Sequence, residues 1–415
     1  MTLLTNHPLD IDHPWRARAK AVIPNGMYGH QSARALPEGY PQFLARGEGG
    51  RIWDVDGNEY IDFMCSYGPI VLGHHHPAVD AAAAAQLELA DCQNGPSPVM
   101  VELCELFVET VDHADWSMLA KNGTDATTMC VTIARAATKR RKVMVAKGAY
   151  HGAAPWCTPN PSGTTAEDRA HLVHYRFNDY ESVKTAVEEC GDDLAAIVVS
   201  PFKHDARFDQ EMVDPEWAKY LRTVCDETGA ALILDDVRAG FRMALGGSWE
   251  TVGVMPDLSA WSKAIANGYA LGAVLGNDRF RSGAESIYAT GSFWFSAVSM
   301  AAAVATINAL RDEDGLGAMQ RAGQRLRDGL AAQARAHGLV VNQTGPVTMP
   351  LMTFAADTEF QRAHLWAGVS AQHGAYLHPW HNWFTCAAHT DEDVDTALRA
   401  TDIAFERVRA EFGAD

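Results

Sequence analysis

Short apolar runs recur along the chain, each ending in a polar or glycine-containing turn, and this alternation limits the fold more than any other feature. A continuous apolar run of four to eight residues is typical of a strand buried on both faces. Such runs occupy residues 116–120, 142–146, 194–200 and 230–234. Helical patterns at 125–138 and 214–229 separate them. Strands that alternate with helices predict an α/β domain with a mostly parallel sheet flanked by helices.

The helix at 214–229 carries a complete set of end signals. Asp214 is a cap residue, Pro215 fits the first turn, and Gly229 follows the last one. The strand after it stops abruptly at Asp235-Asp236. Because open α/β sheets bind ligands at the carboxyl ends of their strands, we expect the functional site there.

Both ends of the chain lack this regular alternation of apolar strands and helices. Arg51–Phe63 reads as a hairpin around Asp56-Gly57, and a long helix is expected over about 314–337. A last helix begins at Asp391, with Thr390 and Asp393 placed as a near capping box. These segments predict a smaller α+β domain built from both termini. The expected domain limits are 1–60, 61–307 and 308–415, the middle range being the large domain.

Composition narrows the class of function. The 415 residues carry a formal charge of −18, which argues against nucleic acid or an anionic membrane as partner. Eight cysteines occur without any C-x-x-C pair, and the N-terminus has no signal-like pattern. The longest alanine run, at 81–85, is too short to span a bilayer. We therefore expect a cytoplasmic protein with no membrane partner.

One lysine stands out by its surroundings. Between Ser259 and Gly276, Lys263 is the single charged residue. A buried unpaired ammonium is costly, so such a lysine loses its proton or finds a partner. An unprotonated lysine can form a Schiff base with a carbonyl. The alternative is an exposed lysine on a loop, and the residue alone does not decide between them.

Three further features fall at predicted strand ends. Asn122-Gly123-Thr124 opens a helix and could hold a phosphate or simply cap that helix. The loop Gly148–Gly152 contains Tyr150 and His151, which could stack on a flat ligand or form an ordinary turn. Asp235 ends an apolar strand and must be exposed, capping or paired with a cation. Together with the lysine amine, these residues could bind the phosphate, the ring, the ring nitrogen and the aldehyde of pyridoxal 5′-phosphate (PLP).

Most of the chain, from about Pro24 to Phe405, resembles the class III aminotransferases of PLP fold type I, and most closely the glutamate-1-semialdehyde aminomutase branch. The blocks that carry the resemblance stand in family order and spacing. They are RIWDVDGNEYIDF from Arg51, LGHHHP from Leu72, NGTDA from Asn122, YHG from Tyr150, DDVRAGFR from Asp235, PDL from Pro256 and AHTDED from Ala388.

The resemblance implies a role for each site residue. Lys263 forms the Schiff base with PLP, and Asp235 pairs with the pyridine nitrogen. The remaining implied cofactor contacts surround the ring and the phosphate: Gly123, Thr124, Tyr150, His151 and Val237. In the family a hydroxyl reaches the phosphate across the dimer interface, and Ser292 or the nearby Thr290 takes that place here. The resemblance thus implies a homodimer with shared active sites.

The chain departs from the aminomutase pattern around the substrate. The arginine that binds the substrate carboxylate falls on Ser32, unless a shifted loop lets Arg34 replace it. Aromatic residues occupy 293–295, and a usually acidic position is His381. These changes argue against glutamate 1-semialdehyde as the substrate. We expect Tyr28, Tyr67 and His381 to contact the substrate instead.

The block around His74–His76 could suggest a metal site, but adjacent side chains diverge, so we expect no metal there. The predicted function is a PLP-dependent aminotransferase that moves an amino group between an amine or amino acid and a carbonyl acceptor. An aminomutase, racemase or epimerase would use the same residues and stays open. A PLP-binding regulator without turnover is disfavoured, since no helix-turn-helix extension or basic arm is visible.

Overall fold

The structure is a computed structural model and describes residues 13–29, 32, 36–355 and 357–415. Its strands are β1 (Leu44–Glu48), β2 (Arg51–Asp54), β3 (Glu59–Asp62), β4 (Trp116–Ala120), β5 (Lys142–Ala146), β6 (Leu172–Tyr175), β7 (Leu194–Val199), β8 (Phe202–Lys203), β9 (Glu211–Met212), β10 (Ala231–Asp235), β11 (Leu258–Trp261), β12 (Gly272–Gly276), β13 (Val341–Thr344), β14 (Leu351–Phe354) and β15 (Ala375–Tyr376). Its helices are α1 (His13–Val22), α2 (Pro77–Leu89), α3 (Pro98–Thr110), α4 (Gly123–Thr138), α5 (Tyr180–Cys190), α6 (Pro215–Thr228), α7 (Arg281–Ser286), α8 (Ala297–Asp312), α9 (Gly315–Ala336), α10 (Gln361–Gln372) and α11 (Asp391–Phe412).

The described residues form two compact units. One unit comprises the described residues within 1–76, 206–209 and 317–415, and the other comprises Pro77–Asp205 and Gln210–Leu316. We refer to them as the first and the second unit. The domain limits expected after residues 60 and 307 stay a prediction, and the divisions found here lie later in the chain.

The second unit contains a seven-stranded sheet in the order β4-β12-β11-β10-β7-β5-β6. The pairs from β11 through β10, β7 and β5 to β6 are all parallel, whereas β12 runs antiparallel to both β11 and β4. Every residue of β7, β10, β11 and β12 is buried, as continuous apolar runs require. The predicted α/β class with a mostly parallel sheet is confirmed.

Helix ends follow the sequence signals closely. The Asp214 side chain accepts a hydrogen bond from the Glu216 N–H, Pro215 opens α6, and Gly229 ends it with a φ of 75°. That left-handed conformation is easy for glycine and costly for residues with a Cβ. The helix expected at 214–229 and the strand expected at 230–234 are both confirmed, since α6 and β10 begin and end within one residue of these bounds.

The first unit contains the sheet β1-β2-β3-β15. The predicted turn at Asp56-Gly57 joins β2 and β3, which pair antiparallel. Ile61, expected to begin the large domain, instead lies in this small sheet, because it pairs with Ala375 of β15. The capping box of α11 is present, with Thr390 and Asp393 exchanging side chain–backbone hydrogen bonds. In the part of the chain that the structure describes, no helix combines the length and apolarity needed to cross a membrane.

The buried carboxyl of Asp236 makes the stability of the fold depend on pH. Its Oδ2 accepts a hydrogen bond from the Ser248 N–H at 3.0 Å, and its Oδ1 is buried without a partner among the described residues. Burial raises the pKa of Asp236 from 3.8 to about 7. A carboxyl with a raised folded pKa stabilises the fold below the unfolded pKa, and this stability is lost as pH rises through about 7.

We therefore expect Asp236→Asn to exceed the parent in free energy of unfolding at pH 8, by up to about 4 kcal/mol. At pH 5 the parent carboxyl is protonated, so the two proteins should differ much less. Urea unfolding at both pH values measures the difference. An equal difference at pH 5 and pH 8 would contradict the raised pKa.

Candidate active site

A cavity of about 290 Å³ lies in the second unit, at the carboxyl ends of the parallel strands. Of the eight cofactor residues predicted from the sequence, the structure brings seven together around it. They are Gly123, Thr124, Tyr150, His151, Asp235, Val237 and Lys263. Their roles toward a cofactor stay a prediction, but their convergence on one cavity is a structural fact.

Two neighbouring strands position the Asp235 carboxylate and the Lys263 amine. In the parallel pair of β10 and β11, Asp235 lies opposite Ala260. Lys263 follows three residues later, on the turn after β11. Its φ of 51° is left-handed, a conformation that a non-glycine residue adopts at a cost in free energy. The surrounding fold therefore holds the lysine backbone in this strained position.

The carboxylate of Asp235 is held in place from two sides. Its Oδ2 lies 2.7 Å from His151 Nδ1, and its Oδ1 accepts a hydrogen bond from the Val237 N–H at 3.2 Å. Both Asp235 and His151 are buried, at 6% and 3% exposure. His151 Nε2 is also buried and has no hydrogen-bond partner among the described residues. An orphaned buried nitrogen on a cavity wall is typical of a site that receives a polar ligand.

The N-terminus of α4 forms another wall. The Asn122 side chain caps the helix by accepting a hydrogen bond from the Asp125 N–H. A Cβ on Gly123 would lie 2.6 Å from Val237 Cγ1, so only glycine fits this approach. The Thr124 hydroxyl oxygen accepts a hydrogen bond from the Ala153 N–H at 3.1 Å. The first backbone N–H groups of a helix, together with such a hydroxyl, can bind a phosphate.

The electrostatic environment favours an unprotonated lysine. Removal of its ammonium from water, reinforced by the positive charges of Arg238 and Arg242, lowers the pKa of Lys263 from 10.5 to about 7. The negative charge of Asp235 opposes this shift. Near neutral pH a large fraction of the amine is therefore free to attack a carbonyl.

Sequence reasoning missed several residues that line the cavity, among them Arg238 and His204. Arg238 lies within the DDVRAGFR block that begins at Asp235, so its nearness to that acid was a usable signal. His204 follows the end of β7 by five residues, and no local pattern marks it as a wall residue. Burial lowers the pKa of His204 well below its ordinary value, so its ring is neutral at physiological pH.

The other predicted site residues lie elsewhere. Ser292 and Thr290 are exposed, and neither lines the cavity. Tyr28, Tyr67 and His381 belong to the first unit. Tyr67 and His381 contact each other edge to face, with ring centres 5.1 Å apart, whereas Tyr28 is 72% exposed. Their substrate contacts stay a prediction, and Arg34 lies outside the described residues.

The first unit also contains a cluster of possible metal ligands. Ligand atoms of Cys65, Cys386 and His389 lie within 4.8 Å of one another. However, Cys65 Sγ donates to the carbonyl oxygens of Asp62 and Phe384, and His389 Nδ1 accepts from the Cys386 N–H. The thiol of Cys65 and the Nδ1 lone pair therefore already have partners in the protein. His74, from the triple histidine, pairs with the Asp62 carboxylate at 3.0 Å.

Comparison with known proteins places these features in a family. The family model "Aminotransferase class-III" matches residues 35–346. An aminopentol aminotransferase of Sphingopyxis macrogoltabida is 49% identical over 96% of this chain and 94% of its own. A glutamate-1-semialdehyde 2,1-aminomutase of Brevibacillus brevis is 31% identical over 94% of this chain and 97% of its own. The FumI protein of Sphingopyxis sp. MTA144, solved in a PLP internal aldimine form, superposes with a TM-score of 0.95 at 49% identity, covering 97% of both chains. The chain belongs to the class III aminotransferase family.

Proposed function

We propose that this protein is a PLP-dependent aminotransferase that moves the amino group of a hydroxylated aliphatic amine to a carbonyl acceptor. The observation that carries the proposal is the cavity in which the Lys263 amine, the Asp235 carboxylate and the N-terminus of α4 converge. These are an amine, an acid and a phosphate-binding helix end. A class III aminotransferase needs all three.

The residues of the cavity fit PLP. Its volume of about 290 Å³ suits one small planar cofactor, since pockets for larger ligands begin at about this size. The close approach of Gly123 to Val237 leaves helix N–H groups accessible where a side chain would cover them. The half-exposed ring of Tyr150 lines the same cavity. Gly123 and Thr124 would hold the phosphate, and Val237 and Tyr150 would lie against the ring.

PLP supplies an aldehyde that condenses with amines and a pyridinium ring that withdraws electrons from the substrate carbon. The chain supplies the groups that bind the cofactor and move protons. Asp235, fixed by His151, would hold the proton on the ring nitrogen. The Lys263 amine would bind the aldehyde in the resting enzyme. It would then accept the proton from the substrate carbon, since its lowered pKa of about 7 lets it both take and return a proton near neutrality.

The substrate class follows from the relatives and from the departures of the sequence. The relative at 49% identity is an aminopentol aminotransferase, whereas the aminomutase stands at 31%. Ser32 replaces the carboxylate-binding arginine of the aminomutase pattern, and His381 replaces an acidic residue. Both changes replace charged side chains that could bind the charged groups of an amino acid. An uncharged amine that carries hydroxyl groups suits the remaining tyrosine and histidine side chains better.

Turnover with defined substrates tests the proposal. The full-length protein with PLP and pyruvate should form alanine from aminopentol faster than from an alkylamine without hydroxyl groups. It should give little or no product from glutamate 1-semialdehyde. Isomerisation of glutamate 1-semialdehyde without any keto acid would instead favour the aminomutase. Bound PLP without turnover of any amine would favour a regulator.

The proposal includes a homodimer with shared active sites. Ser292 is exposed and does not line the cavity of its own chain. Beside it, Phe293 is 66% exposed and Tyr288 93% exposed, which is costly for two large rings in one short segment. We propose that a second copy covers these rings and that Ser292 then reaches the cavity of its neighbour. We also propose a cytoplasmic location, which is supported by the absence of a disulfide among the eight cysteines, all of which lie in the described residues.

Replacing Asp235 by asparagine should separate the chemical role of the carboxylate from its structural role. The amide oxygen introduced by Asp235→Asn could still accept the His151 hydrogen bond, so we expect the fold to persist. Turnover should fall at least about a hundredfold, because a neutral amide does not stabilise the ring proton. Asp179→Asn is the matched control, since Asp179 is an acid of the same unit that caps α5, a role asparagine can keep, and does not line the cavity. Near-normal turnover of Asp235→Asn would show that the ring is held in another way.

Mixing two inactive variants should test the shared site. Lys263→Ala lacks the essential amine, and Ser292→Asp places a negative charge where the partner's phosphate would lie. A heterodimer of the two should contain one competent site, so activity should recover to roughly a quarter of the parent level after random exchange. Ser162→Asp, at another exposed serine, is the control and should stay active by itself. No recovery after proven exchange, or an active monomer in sedimentation, would contradict the shared site.

A further inference from the structure

Two cations follow equivalent positions of adjacent parallel strands. Asp235 of β10 lies opposite Ala260 of β11. Arg238 comes three residues after Asp235, and Lys263 comes three residues after Ala260. Both side chains line the cavity. The register of the two strands thus places a guanidinium and an amine in the lining of the same cavity.

Arg238 provides a permanent positive charge in this lining. The residue is 9% exposed, and burial lowers the pKa of its guanidinium to about 10. It therefore stays protonated across the physiological range. The negative charges of Asp235 and Asp205 and the phenol of Tyr150 favour its charged form.

The charges that act on Lys263 come from the end of β10 and the turn that follows it. Arg238 and Arg242, on the turn after β10, oppose its protonation, and Asp235 at the end of β10 favours it. His204, which follows β8, is held neutral by burial and therefore adds no full charge. Of the two arginines, Arg238 has the larger effect and is the one that lines the cavity. The Asp235 carboxylate also lies 2.7 Å from His151 Nδ1.

We propose that Arg238 is a positioning residue that keeps the Lys263 amine unprotonated, and so nucleophilic, at neutral pH. A neighbouring cation is one of the known means by which proteins activate a lysine. Burial acts in the same direction and is the larger cause, and the charge of Arg238 adds to it. The inference rests on the proposed function of Lys263 as the amine that binds the cofactor.

Competitive acetylation of the full-length chain measures the protonation of Lys263 without any cofactor. Only an unprotonated amine reacts with acetic anhydride, so the extent of labelling against pH gives the midpoint for the peptide that contains Lys263. In the parent this midpoint should lie near pH 7. In Arg238→Met, which keeps the bulk and removes the charge, it should rise by about 1 pH unit or more. At pH 7 this rise corresponds to a labelling rate about fivefold lower.

Two further variants make the result specific. Arg238→Gln also removes the charge and should show the same rise, which provides a second test if Arg238→Met folds poorly. Lys219→Met removes one charge from the exposed face of α6 and should leave the midpoint unchanged. Adding about 0.5 M salt should alter the midpoint of the parent little, since a buried charge pair is weakly screened.

An unchanged midpoint in a folded Arg238→Met or Arg238→Gln protein would overturn the proposal. An equal rise in Lys219→Met would overturn it as well, because the effect would then follow net charge. Acetylation does not depend on PLP, so its outcome is independent of the proposed function. If the parent failed to bind PLP while the Arg238 variants still raised the midpoint, the proposed function would fail and the effect of Arg238 on Lys263 would stand.

Discussion

The parallel pairing of β10 with β11 is the constraint on which the site depends. It fixes Asp235 opposite Ala260, and the turns that leave the two strands then place Arg238 and Lys263 in the lining of the same cavity. A slip of one residue in this register would turn alternate side chains to the opposite face of the sheet. The buried apolar strands on both sides resist such a slip, because every residue of β10 and β11 is buried.

The ionisable groups near this cavity differ in how the protein compensates for their burial, either by hydrogen bonds or by a shifted pKa. Asp235 is bonded to His151 and to a backbone N–H, whereas Asp236 has only one bonded oxygen and a pKa raised to about 7. Burial lowers the pKa of Lys263, so that its neutral form is favoured. A group that exchanges its proton near neutral pH is useful in an enzyme that must accept and return one proton in each half of its reaction.

Local patterns gave most of the fold and the centre of the site. Continuous apolar runs and cap residues marked the strands of the large sheet and the ends of α6, and the resemblance assigned seven residues that meet at one cavity. Features that depend on contacts between distant parts of the sequence were harder to predict. Ile61 belongs to the small sheet because of Ala375, more than 300 positions away in the sequence. His204 reaches the cavity wall only through the folding of the sheet, which no pattern near it indicates.

Borohydride trapping is the most direct test of the proposal that Lys263 is the amine that binds PLP in this cavity. The protein with bound PLP is reduced with borohydride, digested and mapped by mass spectrometry. We expect the pyridoxyl label on the peptide that contains Lys263 and nowhere else. A label on another lysine, or a reduced protein that releases all of its PLP on unfolding, would contradict it.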